Sequence, residues 1–165
     1  MEKRDRPTWD EYFAHETWWI ATRSSCWHLQ SGARIVKDNH GIASGYNGAP
    51  KGIPNCLEVG CRKEEKGVKF ETKGMDVCRG AHAESNAIKR ASKEDLEGST
   101  LYTLRYPCST CTKEIIQAGI IEVVYFKKYS EAKLSKELLA QAGIKVRKID
   151  WNLDQDVDLL RRLTE

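Results

Sequence analysis

Residues 99–149 read STLYTLRYPCSTCTKEIIQAGIIEVVYFKKYSEAKLSKELLAQAGIKVRKI, and their periodicity decides the fold. The runs 99–104, 121–126 and 144–149 are short and rich in β-branched and aromatic residues, as strands are. Between them lie two helical stretches, 108–118 and 131–142, followed by Gly119 and Gly143, the residue type that closes helices through a left-handed cap. The second stretch carries Leu134, Leu138, Leu139 and Ala142 as its apolar face. Strands separated by helices of about ten residues form crossovers, so these three strands are expected to run parallel with helices packed on the sheet.

Working outward, 33–37 and 41–46 read as two more strands separated by the turn signal Asp38-Asn39-His40-Gly41, which predicts an antiparallel hairpin. Thr8-Trp9-Asp10-Glu11 has the form of a capping box and starts a helix predicted over 8–24. Trp9, Phe13 and Ile20, with Trp18 and Trp19 nearby, give that helix an aromatic face, read as core or subunit contact. A further helix is predicted over 81–92. The expectation is one domain over residues 1–165, an α/β fold of three α/β/α layers around a five-stranded mixed sheet with parallel last strands. Residues 151–165 form a C-terminal tail in which Val157, Leu160 and Leu163 suit a short amphipathic helix.

Charge narrows the partners. The 27 basic and 24 acidic residues are mixed without a long single-sign block and leave a net +3. A nucleic-acid module usually shows a basic stripe, so a polynucleotide is not the expected partner, whereas a small phosphorylated molecule is compatible. The first twenty residues are charged where a secretory signal would be apolar, and no stretch approaches the roughly 20 apolar residues of a membrane span, which predicts a soluble cytoplasmic protein. In that reducing compartment six cysteines are metal ligands or buried thiols rather than disulfides.

Two clusters carry chemistry: His82-Ala83-Glu84 and Pro107-Cys108-Ser109-Thr110-Cys111. Cys108 and Cys111 are three apart at a helix start, share one face and reach one tetrahedral metal. The helix N-terminus favours their thiolates. Pro107 suits a helix start, where its missing N–H is not needed. With His82 as third ligand, the fourth corner of a zinc ion stays open for water. Glu84, two residues past the histidine, falls outside ligand spacing and suits a proton carrier. A structural zinc knuckle with Glu84 in solvent is the bland alternative, which lacks a nearby fourth ligand.

His-x-Glu followed by Pro-Cys-x-x-Cys is the signature of zinc nucleobase deaminases. Together with Gly45-Tyr46-Asn47-Gly48-Ala49-Pro50, His82-Ala83-Glu84-Ser85-Asn86-Ala87-Ile88 and the strand–helix series to residue 149, it resembles the deoxycytidylate (dCMP) deaminase family over roughly residues 18–149. The resemblance implies the cytidine deaminase-like fold and hydrolysis of dCMP to dUMP and ammonia. Glu84 then takes a proton from water and hands it to ring N3 as oxygen attacks C4. It further implies that Asn47 bonds the sugar, that the Ala83 N–H meets the base, and that Tyr129 sits at the pocket mouth. Hexamers and deoxynucleoside triphosphate regulators near the Gly-Tyr-Asn-Gly loop are also implied. Two departures stand out: Cys26-Trp27-His28-Leu29-Gln30-Ser31-Gly32-Ala33 before the first strand, and Arg34 where the family has an apolar residue. If that segment grips the phosphate, substrate preference differs.

Segment 47–79 has no sustained period, and an irregular stretch of that length inside a compact domain is functional or metal-pinned. Cys56, Cys61 and Cys78 in it, with Cys26, offer a second, structural zinc site; unbound thiols are the alternative. By resemblance, Cys26 and Cys56 match the second-zinc positions of some relatives best. His15, His28 and His40 read as surface or helix residues, and Asn86 as packing or substrate contact. The rival functions are a tRNA-adenosine or single-strand cytosine deaminase and a non-catalytic zinc-binding scaffold like the proteins of bacterial competence operons. The former needs a basic groove, and the latter has no use for Glu84.

Overall fold

The computed structural model describes residues 6–69, 77–128 and 132–150; Tyr129 and the tail 151–165 lie outside the described residues. Five strands, β1 (Gly32–Lys37), β2 (His40–Tyr46), β3 (Thr100–Arg105), β4 (Glu122–Lys127) and β5 (Lys145–Lys148), form one sheet in the order β2-β1-β3-β4-β5. β1 pairs antiparallel with β2 and β3, while β3, β4 and β5 are parallel, the mixed sheet expected from the sequence. The β1–β2 turn is tight because Asp38 and Asn39 take positive φ (50° and 60°), which matches the twist of the two strands.

Seven helices are described: α1 (Trp9–Ala21), α2 (Cys56–Val59), α3 (Arg62–Glu65), α4 (Ala83–Ile88), α5 (Lys93–Leu96), α6 (Ser109–Gln117) and α7 (Lys133–Gln141). The capping box is present: the Glu11 N–H donates to Thr8 Oγ1, and Thr8 N–H donates to the Glu11 carboxylate at 2.6 Å. α1 stops at Ala21, short of residue 24, because Thr22 turns back and its hydroxyl donates to Trp19 O. The stretch 81–92 is not one helix. α4 ends after Ile88, and Ser92 caps a separate α5 by accepting from the Asp95 N–H.

The helices divide the core between the two faces. On one, α1 buries Phe13, Ala14, Thr17 and Ala21 against Val36, Tyr102, Leu104, Val124 and Phe126. Of the aromatic face expected for α1, Phe13 is buried and Trp18 packs against the same cluster, whereas Trp19 is 71% exposed and Trp9 48%. α1 lies close on β1, since a Cβ on Gly32 would come within 2.3 Å of Thr17 O. On the other face, α4, α6 and α7 cover Ala33, Ile35, Leu101 and Val123 with Ala83, Ala87, Ile115 and Leu139. α7 buries Ala132, Ser135 and Leu139, whereas Leu134 and Ala142 of the expected apolar face are exposed. α4 sits directly on β2, where a Cβ on Gly45 would come within 2.2 Å of Ala83 O. Glycine at 45 thus sets the depth at which the His82–Glu84 segment lies. Among the described residues no helix is long and apolar enough to cross a membrane.

A charged network ties α1 to the parallel edge of the sheet. Arg147 grips Asp10 at 2.6 and 3.0 Å and Glu122 at 2.6 Å, and the Tyr102 hydroxyl donates to Asp10 at 2.7 Å. The Arg147 hydrogen bonds hold the Asp10 carboxyl below its usual range, against the opposing effect of burial. Burial raises the Glu122 carboxyl, but Arg147 and Lys145 outweigh it and leave its pKa lowered. A lowered carboxylate pKa contributes stability that is present above about pH 4 and is lost as pH falls through the native value. Replacing Arg147 with Met is therefore expected to cost about 1–3 kcal/mol at pH 7 and almost nothing near pH 2, read from denaturant unfolding at both pH values. An equal loss at both would assign Arg147 to packing alone.

Candidate active site and metal centre

Along β3 side chains alternate, so Leu101 and Thr103 face α4 while Tyr102 and Leu104 face α1. β3 then runs through buried Tyr106 and Pro107 into Cys108, which is the N-cap of α6, with Cys111 in its first turn. Pro107 precedes the cap and so stands one residue outside the helix start assigned to it from sequence. His82 is the N-cap of α4. It is held in place by paired hydrogen bonds between Ala81 and Gly48, at 2.8 and 3.2 Å, which clamp the Gly-Tyr-Asn-Gly loop beside it. Two helix N-termini therefore converge at the carboxyl end of a parallel strand.

His82 Nδ1 lies 3.3 Å from Cys111 Sγ and 3.4 Å from Cys108 Sγ. All three ligand atoms fall within 4.8 Å of one another. In a tetrahedral zinc site with Zn–N near ~2.0 Å and Zn–S near ~2.3 Å, the nitrogen–sulfur edge is about 3.5 Å, so the donor set has both the right softness and the right size. The Cys108 thiol is lowered to about 4, first by its hydrogen bond with Cys111 and, against burial, by His82 and the Cys111 N–H. Cys111 is pushed up by the same hydrogen bond and by burial. The Cys108 hydrogen bond likewise raises the His82 imidazole, opposed by burial and helped by Glu84 and Glu114.

Glu84 is buried, only 6% exposed. Its Oε1 accepts from the Thr103 hydroxyl at 3.1 Å, and its Oε2 lies 3.7 Å from Cys111 Sγ. Burial raises the Glu84 carboxyl above its ordinary value, against the pull of its own backbone and of His82. Thr103, which fixes this carboxylate, is a site residue that sequence reasoning missed; its period-2 relation to Leu101 was the available signal. Glu114, one turn beyond Cys111, was also missed.

The remaining predicted contacts fare differently. Ala83 opens α4 and is buried, with a first-turn N–H that the helix itself does not use. Asn47 is committed within the fold: its Oδ1 accepts from Ser31 N–H at 2.7 Å and its Nδ2 donates to Leu29 O at 2.7 Å, latching the 29–31 segment to the end of β2. Asn86 donates to Tyr46 O at 2.8 Å and so serves packing of α4. Arg34, the departure from the family pattern, faces α1 and pairs with Glu16 at 2.8 Å, on the side of the sheet away from Glu84.

The four other cysteines gather in one region. Burial first, then the neighbouring Cys26 and Cys61 thiols and Cys78, push the Cys56 thiol up, while Arg79 opposes them. No three of these four sulfurs come within 4.8 Å of one another. The tight cluster there is His28, Cys61 and Glu64, with His28 Nε2 2.8 Å from Glu64 Oε1.

An imidazole, two thiols and a buried carboxylate brought together at a strand end define a class, α/β proteins with a candidate metal centre at the carboxyl end of the central strand of a mixed sheet. Residues 7–127 match the cytidine and deoxycytidylate deaminase zinc-binding region, and the chain belongs to that zinc-binding family. It is 37% identical over 147 residues to the deoxycytidylate deaminase of Saccharomyces cerevisiae, covering 88% of this chain and 46% of that protein. The chain thus spans about half the length of that yeast relative. It is 38% identical to human deoxycytidylate deaminase, covering 89% of this chain and 83% of the human one. Identity to ComE operon protein 2 of Bacillus subtilis is 38% over 161 residues, 96% of this chain and 79% of that one. Among solved structures, the dCMP deaminase of cyanophage S-TIM5 in complex with dCMP and dUMP superposes with a TM-score of 0.70 at 29% identity, covering 88% of this chain and all of that one.

Proposed function

We propose that this chain catalyses hydrolysis of dCMP to dUMP and ammonia, with His82, Cys108 and Cys111 as zinc ligands and Glu84 as the proton carrier. The observation that carries this reading is the Glu84 carboxylate, buried and fixed by Thr103 against the His82–Cys108–Cys111 donor set. Zinc held there supplies a Lewis acid that makes water a strong nucleophile at neutral pH. Glu84 would take one proton from water as its oxygen adds at C4 and pass it to ring N3, then take the second from the new C4 hydroxyl and give it to the amino group, so that the C4–N bond breaks and ammonia leaves as C4=O forms. A raised carboxyl pKa suits both directions of transfer. Ala83 N–H is assigned to the base and Tyr129, on the family resemblance, to the pocket mouth. Asn47 keeps one free lone pair on Oδ1 for the sugar beyond its bond to Ser31.

The likeness to a dCMP- and dUMP-bound phage enzyme and to deoxycytidylate deaminases of three further organisms supports a nucleotide substrate. The same family resemblance supports a homo-oligomer, with the hexamer as its expected form, and a deoxynucleoside triphosphate regulator. Cys26, Cys56, Cys61 and Cys78 are proposed as a structural zinc site, supported by their mutual electrostatic reach and by Arg79 beside them, which offsets thiolate charge. Ammonia release from dCMP, dCTP, deoxycytidine and a cytosine oligonucleotide tests the reading. Turnover is expected with dCMP foremost; turnover of the oligonucleotide alone would overturn it.

A further inference from the structure

Helix α1 turns an aromatic stripe away from the sheet. Trp9, Tyr12, Glu16 and Trp19 recur at i, i+3, i+7 and i+10, which is one line along a helix surface. Trp19 is 71% exposed, Trp9 48% and Tyr12 46%. Since an aromatic side chain buries 150–250 Å² when fully covered, these three leave roughly 400 Å² in water. That is about half of the ~800 Å² that each partner contributes to a stable interface, and Trp and Tyr are the residues on which such interfaces chiefly rest.

The two ends of the stripe differ in shape. At the N-terminal end a cleft of about 650 Å³ opens between α1 and the β1–β2 hairpin, walled by Pro7, Trp9, Tyr12, Phe13, Asn39 and His40. Packing fixes its aromatic wall: Trp9 stacks on Phe13 at 5.7 Å and meets Tyr12 edge-on at 5.9 Å. At the other end Trp19 stands out as a knob, about 10 Å beyond Tyr12 along the helix axis. The polar groups between them are already paired within the chain, because Glu16 meets Arg34 at 2.8 Å and accepts from the Tyr12 hydroxyl. Covering the stripe therefore leaves no unpaired charge at its centre. A knob and a cleft on one face, with neutralised charge between them, make that face self-complementary.

The geometry points to a second copy of this chain on that face: two α1 helices pack antiparallel about a two-fold axis near Glu16, and each Trp19 enters the cleft of the other copy. This deepens the homo-oligomer reading above, on which it rests, by naming the contact surface. The test is sedimentation velocity of the zinc-loaded protein over a range of concentrations. It compares wild type with Trp19→Ala, Trp9→Ala, the double variant, and Leu134→Ala, which removes an exposed apolar side chain from α7 on the opposite face of the sheet. Melting temperature and zinc content are followed alongside, and Trp19→Phe stands in if the alanine variant fails to fold. Trp19→Ala is expected to dissociate at protein concentrations at least about 30-fold higher than wild type. The double variant should lose less than the two single losses combined, because the two rings meet across the axis. Leu134→Ala keeps the wild-type mass. An oligomeric wild type whose Trp19→Ala variant dissociates at an unchanged concentration would overturn the contact and leave the oligomer, and would assign the stripe to another part of this chain or to another protein. A wild type that is monomeric at every concentration would overturn both.

Discussion

Replacing Glu84 with Gln is expected to lower kcat on dCMP by at least about 10³-fold while zinc content and KM stay near those of wild type. Gln keeps the shape, and its amide oxygen still accepts from Thr103, so the surrounding core has no reason to collapse. What it lacks is a group that accepts a proton from water and returns it to the base and the leaving amine. Both halves of the reaction lose their carrier, which is why the effect exceeds that of a lost binding contact. Single-turnover rates and metal analysis on the same preparation check the point. A variant within tenfold of wild type would remove Glu84 from the chemistry, whatever its position.

Metal stoichiometry gives the second large effect. The proposal expects about two zinc ions per chain, one in the open three-ligand site and one held by the four distant cysteines. Cys111→Ala should leave about one and no measurable turnover, because His82 and Cys108 alone do not hold the metal tightly. Cys56→Ala should also leave about one, yet retain turnover and unfold at lower temperature. Its cluster braces the two short helices α2 and α3, which have no buried apolar residues of their own to hold them. Structural zinc sites contribute roughly 10–16 kcal/mol of binding free energy to the folded state, so even partial uncoupling should be visible in the melting curve. A wild-type value near one would dismiss the second site and leave unbound thiols there.

The parallel strand–helix series was legible because its period switches between two and 3.6 residues with glycine at each helix end, and β3, β4 and β5 follow that pattern within a residue at most boundaries. The zinc-binding motif was legible for a similar reason, since its residues are grouped locally at two helix starts. Where the reading failed, the cause was contact with something distant in sequence. Leu134 and Ala142 complete an apolar stripe along the chain, yet α7 turns Ser135 and Leu139 to the core and leaves those two exposed. Thr103 looks like an ordinary strand residue until the sheet shows which face it shares with Glu84.

By itself, then, the sequence determined the mixed α/β architecture, the three candidate ligands and the carboxylate two residues past the histidine, because local spacing alone dictates those features. Only the tertiary structure decided what surrounds them: the Thr103 hydroxyl on Glu84 and the Gly48–Ala81 clamp beside His82. These depend on how strands pair and how closely helices approach. Such distances are set by packing across the whole sheet, which no window along the chain contains.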